Sequence, residues 1–313
     1  MNILVTGGAG FIGSHLVEEL VKHGETTRVL DNLATGHLKN LDAVKNKIEF
    51  IQGDIADENT TQNAARDVDI IFHQAALPSV PRSIKNPRAS HDANLTGTLN
   101  VLIAARDHGV KRVVLASSSS VYGNSPQLPK VETFEPSPLS PYAVTKLACE
   151  YYARVFSNLY RLSTICLRYF NVFGPRQDPT SQYAGALAKF TQCALHHKPF
   201  PIYGDGEQSR DFTYVENVVN ANLRAAYAEF DGGAVVNIAG GARTTLNQIV
   251  ALLNELTHQN LPTQFAPSRA GDVLHSHADI SRARELLGYA PTVDVREGLR
   301  RTVEYYEGLE TGD

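Results

Sequence analysis

The chain has 313 residues, with 29 Lys+Arg against 33 Asp+Glu and a formal net charge of -4. That length suits one large α/β unit with a second lobe, enough to enclose a site. The near-balanced charge gives no electrostatic footprint for nucleic acid or an anionic membrane, which leaves small-molecule chemistry. The three cysteines, Cys149, Cys166 and Cys193, are widely spaced and lack a metal-ligand pattern, so reduced thiols and no metal are expected. Met1 leads directly into an apolar strand without a basic leader, and no apolar run is long enough to span a bilayer, so a cytoplasmic chain is expected.

NILVT (2–6) predicts the first strand, followed by a helix from Phe11 to His23. Further β-branched runs follow at 27–31, 47–54, 69–76, 112–118 and 163–169, with helical stretches between them. Near-continuous apolar strands alternating with helices imply an α/β fold with a doubly wound, mostly parallel sheet covered on both faces. Ligands of such sheets collect at the strand carboxyl ends. After Asn171 the rhythm gives way to loops rich in Gly and Pro, at 173–183 and 201–211. Residues 1–171 are therefore read as the sheet domain and 172–313 as mainly a smaller α/β substrate-binding lobe. The strand-like AVVNIAG (234–240) suggests that the chain returns to the main sheet near 213–240, so the division is interleaved. In ADISRARELLG (278–288), Asp279 or Ser281 is expected to cap a helix closed by Gly288.

The first βα turn is GGAGFIG, with Gly7, Gly10 and Gly13 between a strand and a helix. A dinucleotide pyrophosphate needs backbone close by and N–H groups aimed at it from a helix N-terminus, and glycines leave that room. Phe11 and Ile12 fall within the same turn. Asp31 ends the next strand, about 20 residues on, where a carboxylate accepts from both ribose hydroxyls and repels a 2′-phosphate. This is a Rossmann-type signature and favours NAD over NADP; capping the following turn is the plainer alternative for Asp31. Asn32 adjoins it. Asp54, with Ile55, ends the third run and is a candidate for the adenine edge or an ordinary turn acid.

SPYAVTK (140–146) places Tyr142 four residues before Lys146, on one face of a helix that Ser140 and Pro141 start. An ammonium 4 Å from a phenolate favours it by about 4 kcal/mol at an effective dielectric of 20, enough to make a phenol a usable base near neutrality. Tyr142 could then remove a hydroxyl proton while hydride leaves the same carbon for a nicotinamide. Upstream, ASSSSVYG (116–123) ends a strand with hydroxyls placed to bond the reacting oxygen. The plainer alternatives are a polar strand end and a surface pair. The stripe Val144, Ala148, Tyr151, Val155 and Leu159 reads as packing against core or a partner helix.

Taken together, the glycine turn, Asp31, the serine run and Tyr142-x-x-x-Lys146 resemble the extended short-chain dehydrogenase/reductase family over nearly the whole chain. DNLATG (31–36), NLTGTLNVL (94–102), RYFNVFGPRQ (168–177), SRDFTYVENV (209–218), RAGD (269–272) and LLGYAP (286–291) resemble its UDP-hexose 4-epimerases. The resemblance implies tightly bound NAD, catalytic Ser118, Tyr142 and Lys146, and a UDP-sugar held by Asn171, Arg210, Arg269, Asp272 and Tyr203. Arg82, Arg168 and Arg176 are further candidate cations for the diphosphate, since arginine offers planar multi-donor recognition. Dehydratases of the family carry Thr-Asp-Glu where this chain has Ser118, Ser119 and Ser120, so the acid for eliminating water is missing. A redox-neutral cycle through a 4-keto sugar is implied. The family also implies a homodimer through helices near 95–108 and 142–159.

LPSVPRS (77–83), with Ser79, the serine run with Ser119 and Ser120, RQDPTSQYA (176–184), ending in Ala184, and 269–281 most resemble epimerases that accept UDP-N-acetylglucosamine and UDP-N-acetylgalactosamine, and interconversion of UDP-glucose with UDP-galactose is expected as well. Ser276 falls at the family's gate position, where a small residue leaves room for an acetamido group. Pro78 departs from the glycine expected near the sugar and removes a backbone N–H. The alternatives are a UDP-glucuronate 4-epimerase or decarboxylase, with Arg82 or Arg176 on the carboxylate, and a non-catalytic NAD-sensing relative. A reductase using exchangeable NADPH is opposed by Asp31.

Overall fold

A computed structural model describes residues 1–178, 185–230, 232–267 and 274–311. The first half runs β1 (Asn2–Thr6), α1 (Phe11–Lys22), β2 (Thr26–Asp31), β3 (Ile48–Gln52), α2 (Glu58–Ala64) and β4 (Ile70–His73). It continues through α3 (Val80–Lys85), α4 (Pro87–His91), a π-helical turn at Asp92–Thr96, α5 (Gly97–Asp107), β5 (Arg112–Ser118), α6 (Pro141–Tyr160) and β6 (Ser163–Tyr169). Then come β7 (Val172–Phe173), α7 (Ala186–Leu195), β8 (Phe200–Tyr203), β9 (Ser209–Asp211), β10 (Thr213–Tyr214), α8 (Val215–Tyr227) and β11 (Gly233–Ile238). The last elements are β12 (Arg243–Thr245), α9 (Leu246–Leu256), β13 (Thr263–Ala266), α10 (Ser281–Leu287) and α11 (Val295–Thr311).

Seven strands form one sheet in the order β11-β6-β5-β4-β1-β2-β3, every neighbouring pair parallel. Its strands are apolar on both sides because helices cover both faces. Leu16, Val17 and Leu20 of α1 and Val218 and Ala225 of α8 pack on one face; Val101, Leu102 and Ala105 of α5 and Ala153 and Phe156 of α6 pack on the other. The chain leaves this sheet after β6, returns for α8 and β11, and leaves again. The excursions share a separate core that includes Phe190 of α7, Phe200 of β8, Ile249 of α9 and Leu299 of α11. β7, β8, β9, β10, β12 and β13 pair there as short two-stranded sheets.

Local signals account for the helix that matters most. Ser140 Oγ accepts the Ala143 N–H at 3.2 Å and Pro141 fills the first turn, so α6 starts one residue before Tyr142. At α10 the expected cap is displaced by one residue. Ile280 occupies the cap position, Asp279 Oδ1 accepts the Ser281 N–H at 2.7 Å from just outside it, and Gly288 closes the helix at φ 61°. No helix among the described residues is long and apolar enough to cross a membrane.

Candidate active site

The sheet order reverses direction at β1, whose neighbours are β2 and β4, so the loops leaving β1 and β4 part and open a crevice. Gly7 turns the chain there at φ +71°, and a Cβ on it would fall 2.6 Å from the Ala75 backbone. A Cβ on Gly13 would fall 2.1 Å from Gly7 O. Neither position has room for a side chain. α1 starts at Phe11 without a side-chain cap, so its first-turn N–H groups are left for a ligand. Gly7, Gly10, Phe11, Ile12, Gly13, Asp31, Asn32, Asp54 and Ile55 line one cleft with the β4 loop (Gln74 to Pro78), Tyr142 and Lys146.

Asp31 is buried, with Oδ2 accepting from Ala9 N at 2.9 Å and Oδ1 from Leu33 N at 2.8 Å. Burial pushes its carboxyl up, while those two hydrogen bonds and His37 pull the other way. Asn32 Nδ2 donates to Asp54 Oδ2 at 2.9 Å, which ties the two loop ends at this side of the cleft.

Across the cleft, Lys146 is 4% exposed and its Nζ donates to Ala116 O at 2.8 Å, while Tyr142 is half-buried one helical turn above it. Ala116 and Ser117 form the wall at this level. Ser118 turns β5 into a short 3-10 segment, Ser119–Tyr122, its Oγ accepting from Ser120 N at 3.2 Å. Ser119 is half-buried in that turn, and Ser120 Oγ is buried without a hydrogen-bond partner among the described residues. Ser79 caps α3 by accepting from Arg82 N at 3.3 Å and holds φ +100° beside Pro78.

A second cavity opens in the lobe, walled by Asn171, Gln177, Lys189, Tyr203, Gln208 and Arg210 over Phe190, Phe212 and Leu246. Asn171, at φ +36°, donates through Nδ2 to Asp211 O at 2.9 Å and to Ser276 Oγ at 3.1 Å. Arg210 Nη1 donates to Ser209 O and Leu274 O, each at 3.0 Å. Ala184, Arg269 and Asp272 lie outside the described residues. Two expected cations are placed elsewhere. Arg168 is 3% exposed and forks onto Glu150 instead of reaching a cleft. Arg176 Nη2 donates to Glu18 Oε1 at 2.5 Å and Nη1 to Ser14 Oγ, which locks the 174–177 loop onto α1. A strand residue on the inner side of a sheet and an arginine beside a helix acid are both captured by the nearest carboxylate.

Several residues that the sequence analysis does not assign to the site support it from below. Gln74 Nε2 donates to Asn222 Oδ1 at 2.9 Å and to Tyr169 Oη at 3.1 Å under the β4 loop. Asn94, on the π turn, accepts from Leu77 N at 2.7 Å and donates to Thr145 Oγ1 at 3.2 Å, joining that loop to α6. His73 lies below, between Thr6 Oγ1 at 2.7 Å and Thr98 Oγ1 at 2.8 Å. Because Thr98 spends its proton on Asn94 O, His73 donates from Nε2 and accepts at Nδ1. An amide one residue past a strand gave a usable signal for Gln74; the others follow from tertiary placement alone.

The sequence matches the NAD dependent epimerase/dehydratase family over residues 3–239. The chain belongs to that family. A UDP-glucose 4-epimerase of Mycolicibacterium smegmatis is 39% identical over 310 residues, covering 98% of each chain. Among solved structures, the Thermotoga maritima UDP-glucose 4-epimerase with UDP-glucose superposes at a TM-score of 0.94, with 40% identity and 100% of both chains covered. The UDP-N-acetylglucosamine 4-epimerase of Methanobrevibacter ruminantium, in complex with UDP-N-acetylmuramic acid, gives 0.94 at 38% identity and 98% of both chains. The seven-stranded sheet and the lobe thus share the fold of these structures.

Buried titratable groups around the site set its acid sensitivity. Burial pushes the His15 imidazole down to about 4, despite its hydrogen bond to Pro175 O, and the His73 imidazole down to about 3. An unfolded chain takes up a proton at each near pH 6.5, so the stability they contribute is present above about 6.5 and is lost as pH falls toward 4 and below. Asp211, pushed up to about 6 by burial, acts oppositely: its contribution is present below the usual carboxylate range and lost as pH rises through about 6. Two imidazoles outweigh one carboxyl. Urea midpoints are expected to drop between pH 6.5 and 4, with a shallower drop for His73→Gln; a flat profile, or the same drop in that variant, would contradict the burial argument.

Proposed function

We propose that this protein is an NAD-dependent UDP-hexose 4-epimerase acting through a 4-keto sugar. The observation that carries the reading is that Tyr142 and Lys146 share one cleft with the glycine turn and Asp31. The residues fit the dinucleotide: the turn has no room for a Cβ at Gly7 or Gly13, and the uncapped start of α1 suits a pyrophosphate. Gly10, Phe11, Ile12 and Gly13 would hold the pyrophosphate, Asp31 and Asn32 the ribose, and Asp54 and Ile55 the adenine end. Bound NAD supplies reversible hydride exchange with C4′ of the sugar.

The chain's own groups handle the proton. Tyr142 takes it from the 4′-hydroxyl and returns it, Lys146 holds positive charge beside the phenol, and Ser118 hydrogen-bonds the reacting oxygen. Ser79, Ser119, Ser120 and Ala184 would face the sugar. Asn171, Arg210 and Arg269 hold the diphosphate, with Asp272 and Tyr203 on the uridine side. NAD that is never released suits a cycle with no net redox change. The sugar-acid reading loses one of its two candidate cations, because Glu18 engages Arg176. We place the protein in the cytoplasm, where its free cysteines stay reduced.

A panel of UDP-glucose, UDP-N-acetylglucosamine and UDP-glucuronate followed by NMR tests the reading. Turnover to the 4-epimer of the first two is expected, Tyr142→Phe should lose about 10²–10⁴-fold in kcat while keeping NAD, and a panel without any 4-epimer would sink the proposal.

The breadth of sugar accepted turns on Ser276. It is half-buried, and its hydroxyl accepts from Asn171, which lines the lobe cavity. A small side chain there leaves volume for an acetamido group. Ser276→Tyr is expected to lower kcat/KM for the N-acetylated pair by about tenfold or more relative to the glucose pair, or about 1.4 kcal/mol; equal losses would remove the gate.

The stripe on α6 also gains a role. Val144, Tyr151, Val155 and Leu159 are 51, 47, 44 and 69% exposed, far from core packing. Apolar residues repeating along one helix face suit a matching helix from a second copy, related by a two-fold axis. We assign this face, with α5 beside it, to a homodimer. Val155→Glu with Leu159→Glu is expected to convert a dimer to a monomer by sedimentation equilibrium; an unchanged mass would place the interface elsewhere.

A further inference from the structure

Lys146 and Glu150 stand four residues apart on α6, the spacing at which a lysine and a glutamate on a helix ordinarily meet. Here they do not. Lys146 Nζ donates to Ala116 O at 2.8 Å, while Glu150 turns to the neighbouring strand residue and accepts from Ser117 Oγ at 2.5 Å. The rest of the carboxylate is taken by Arg168, through Nε at 2.9 Å and Nη2 at 2.7 Å, with both side chains 4% exposed. The guanidinium lies 4.7 Å from the centre of the Tyr122 ring, whose hydroxyl is fixed on Asn237 Oδ1 at 2.7 Å. Among the described residues Arg168 Nη1 has no hydrogen-bond partner, so this arginine is held in place chiefly by Glu150 and the ring.

The groups around this carboxylate leave a simple charge count. On α6 they are Lys146 and Cys149, on β6 Cys166 and Arg168, on the 3-10 segment Tyr122, with Glu132 facing Tyr122 from the loop that follows, and His73 faces Lys146 from β4. Burial pushes the Cys149 and Cys166 thiols and the Tyr122 phenol up and the His73 imidazole down, so all four are neutral. Burial works against the Arg168 charge, but the hydrogen bonds and charge of Glu150 outweigh it and hold Arg168 above its ordinary range. Glu150 is paired with Arg168 and Glu132 lies toward Tyr122 and Asn237, so among the described residues the Lys146 charge is left without a carboxylate of its own. A carboxylate moved onto that ammonium would cancel its field at the phenol one turn away, since little solvent screens a buried pair.

We propose that Arg168 is a positioning residue that holds the Glu150 carboxylate away from Lys146, so that the ammonium stays on Ala116 O and acts on Tyr142. The kinetic consequence rests on the epimerase reading; the titration of the phenol does not. Three proteins decide it: the parent, Arg168→Met, and Arg168→Met with Glu150→Leu, each also prepared with Tyr142→Phe. Ultraviolet difference titration against the Tyr142→Phe partner isolates one tyrosinate. In Arg168→Met its midpoint is expected to move up by about one pH unit or more, the acid limb of the kcat–pH profile to follow, and kcat at pH 7 to fall about tenfold with little change in KM. The paired variant, which removes the carboxylate as well, is expected to return both midpoint and limb to the parent's.

If Arg168 merely packed the core, the paired variant would be as impaired as the single one, and that result overturns the proposal. An unshifted tyrosinate in a folded Arg168→Met does so too. Should Arg168→Met fail to fold, the paired variant still judges the matter, because apolar replacement of a buried ion pair is generally tolerated. Folded, NAD-bound protein with its tyrosinate displaced by about one unit would reject the idea. A parent without turnover would refute the epimerase reading alone and leave the titration to decide the role of Arg168.

Discussion

The structure depends on a buried ammonium. Lys146 is 4% exposed, and its hydrogen bond goes to one main-chain carbonyl, Ala116 O, at 2.8 Å. A charge so placed is costly unless it is matched by nearby dipoles or by a ligand. The folded chain meets that requirement by geometry. β5 presents a carbonyl at its carboxyl end, α6 starts at Pro141 so that residue 146 falls over that carbonyl, and the neighbouring acid is held by another cation. Tyr142 then occupies the turn above, at the mouth of the same cleft.

The same ends of the sheet set the relation between the two cavities. One is formed where the loops of β1 and β4 diverge, and the other sits over the core of the lobe. They are joined by short hydrogen-bonded links. His15 and Glu18 of α1 hold Pro175 O and Arg176, while Asn171 reaches both Asp211 O and Ser276 Oγ. Asp211 in turn accepts from Gly241 N and Ala278 N, so one buried carboxylate fixes three segments of the lobe against each other. The two cavities are therefore positioned by the same packed elements, as the proposed reaction, with a sugar carbon close to a nicotinamide, requires.

Much of the site was legible because its signals are local. A glycine turn between strand and helix, an acid one strand later and a tyrosine and lysine at i and i+4 each follow from backbone periodicity within a few residues. The two arginines expected at the diphosphate show where that legibility stops. Arg168 and Arg176 read as free cations in a sequence, and only the fold reveals Glu150 and Glu18 within reach. The cap of α10 shows the same limit at small scale, since Asp279 serves the Ser281 N–H from one residue outside the cap.

Sequence alone determined the alternation of strands and helices, the glycine turn between the first strand and helix, and the tyrosine and lysine on one helical face. These depend on spacing, and spacing is written in the chain. Tertiary structure decided which carboxylate each buried cation meets, that β11 joins the edge of the main sheet beside β6, and that Asn94 and His73 support the β4 loop from below. Those outcomes bring together residues distant in the chain, such as Thr6 with His73 and Gln74 with Asn222, and depend on packing and on satisfying most buried polar groups.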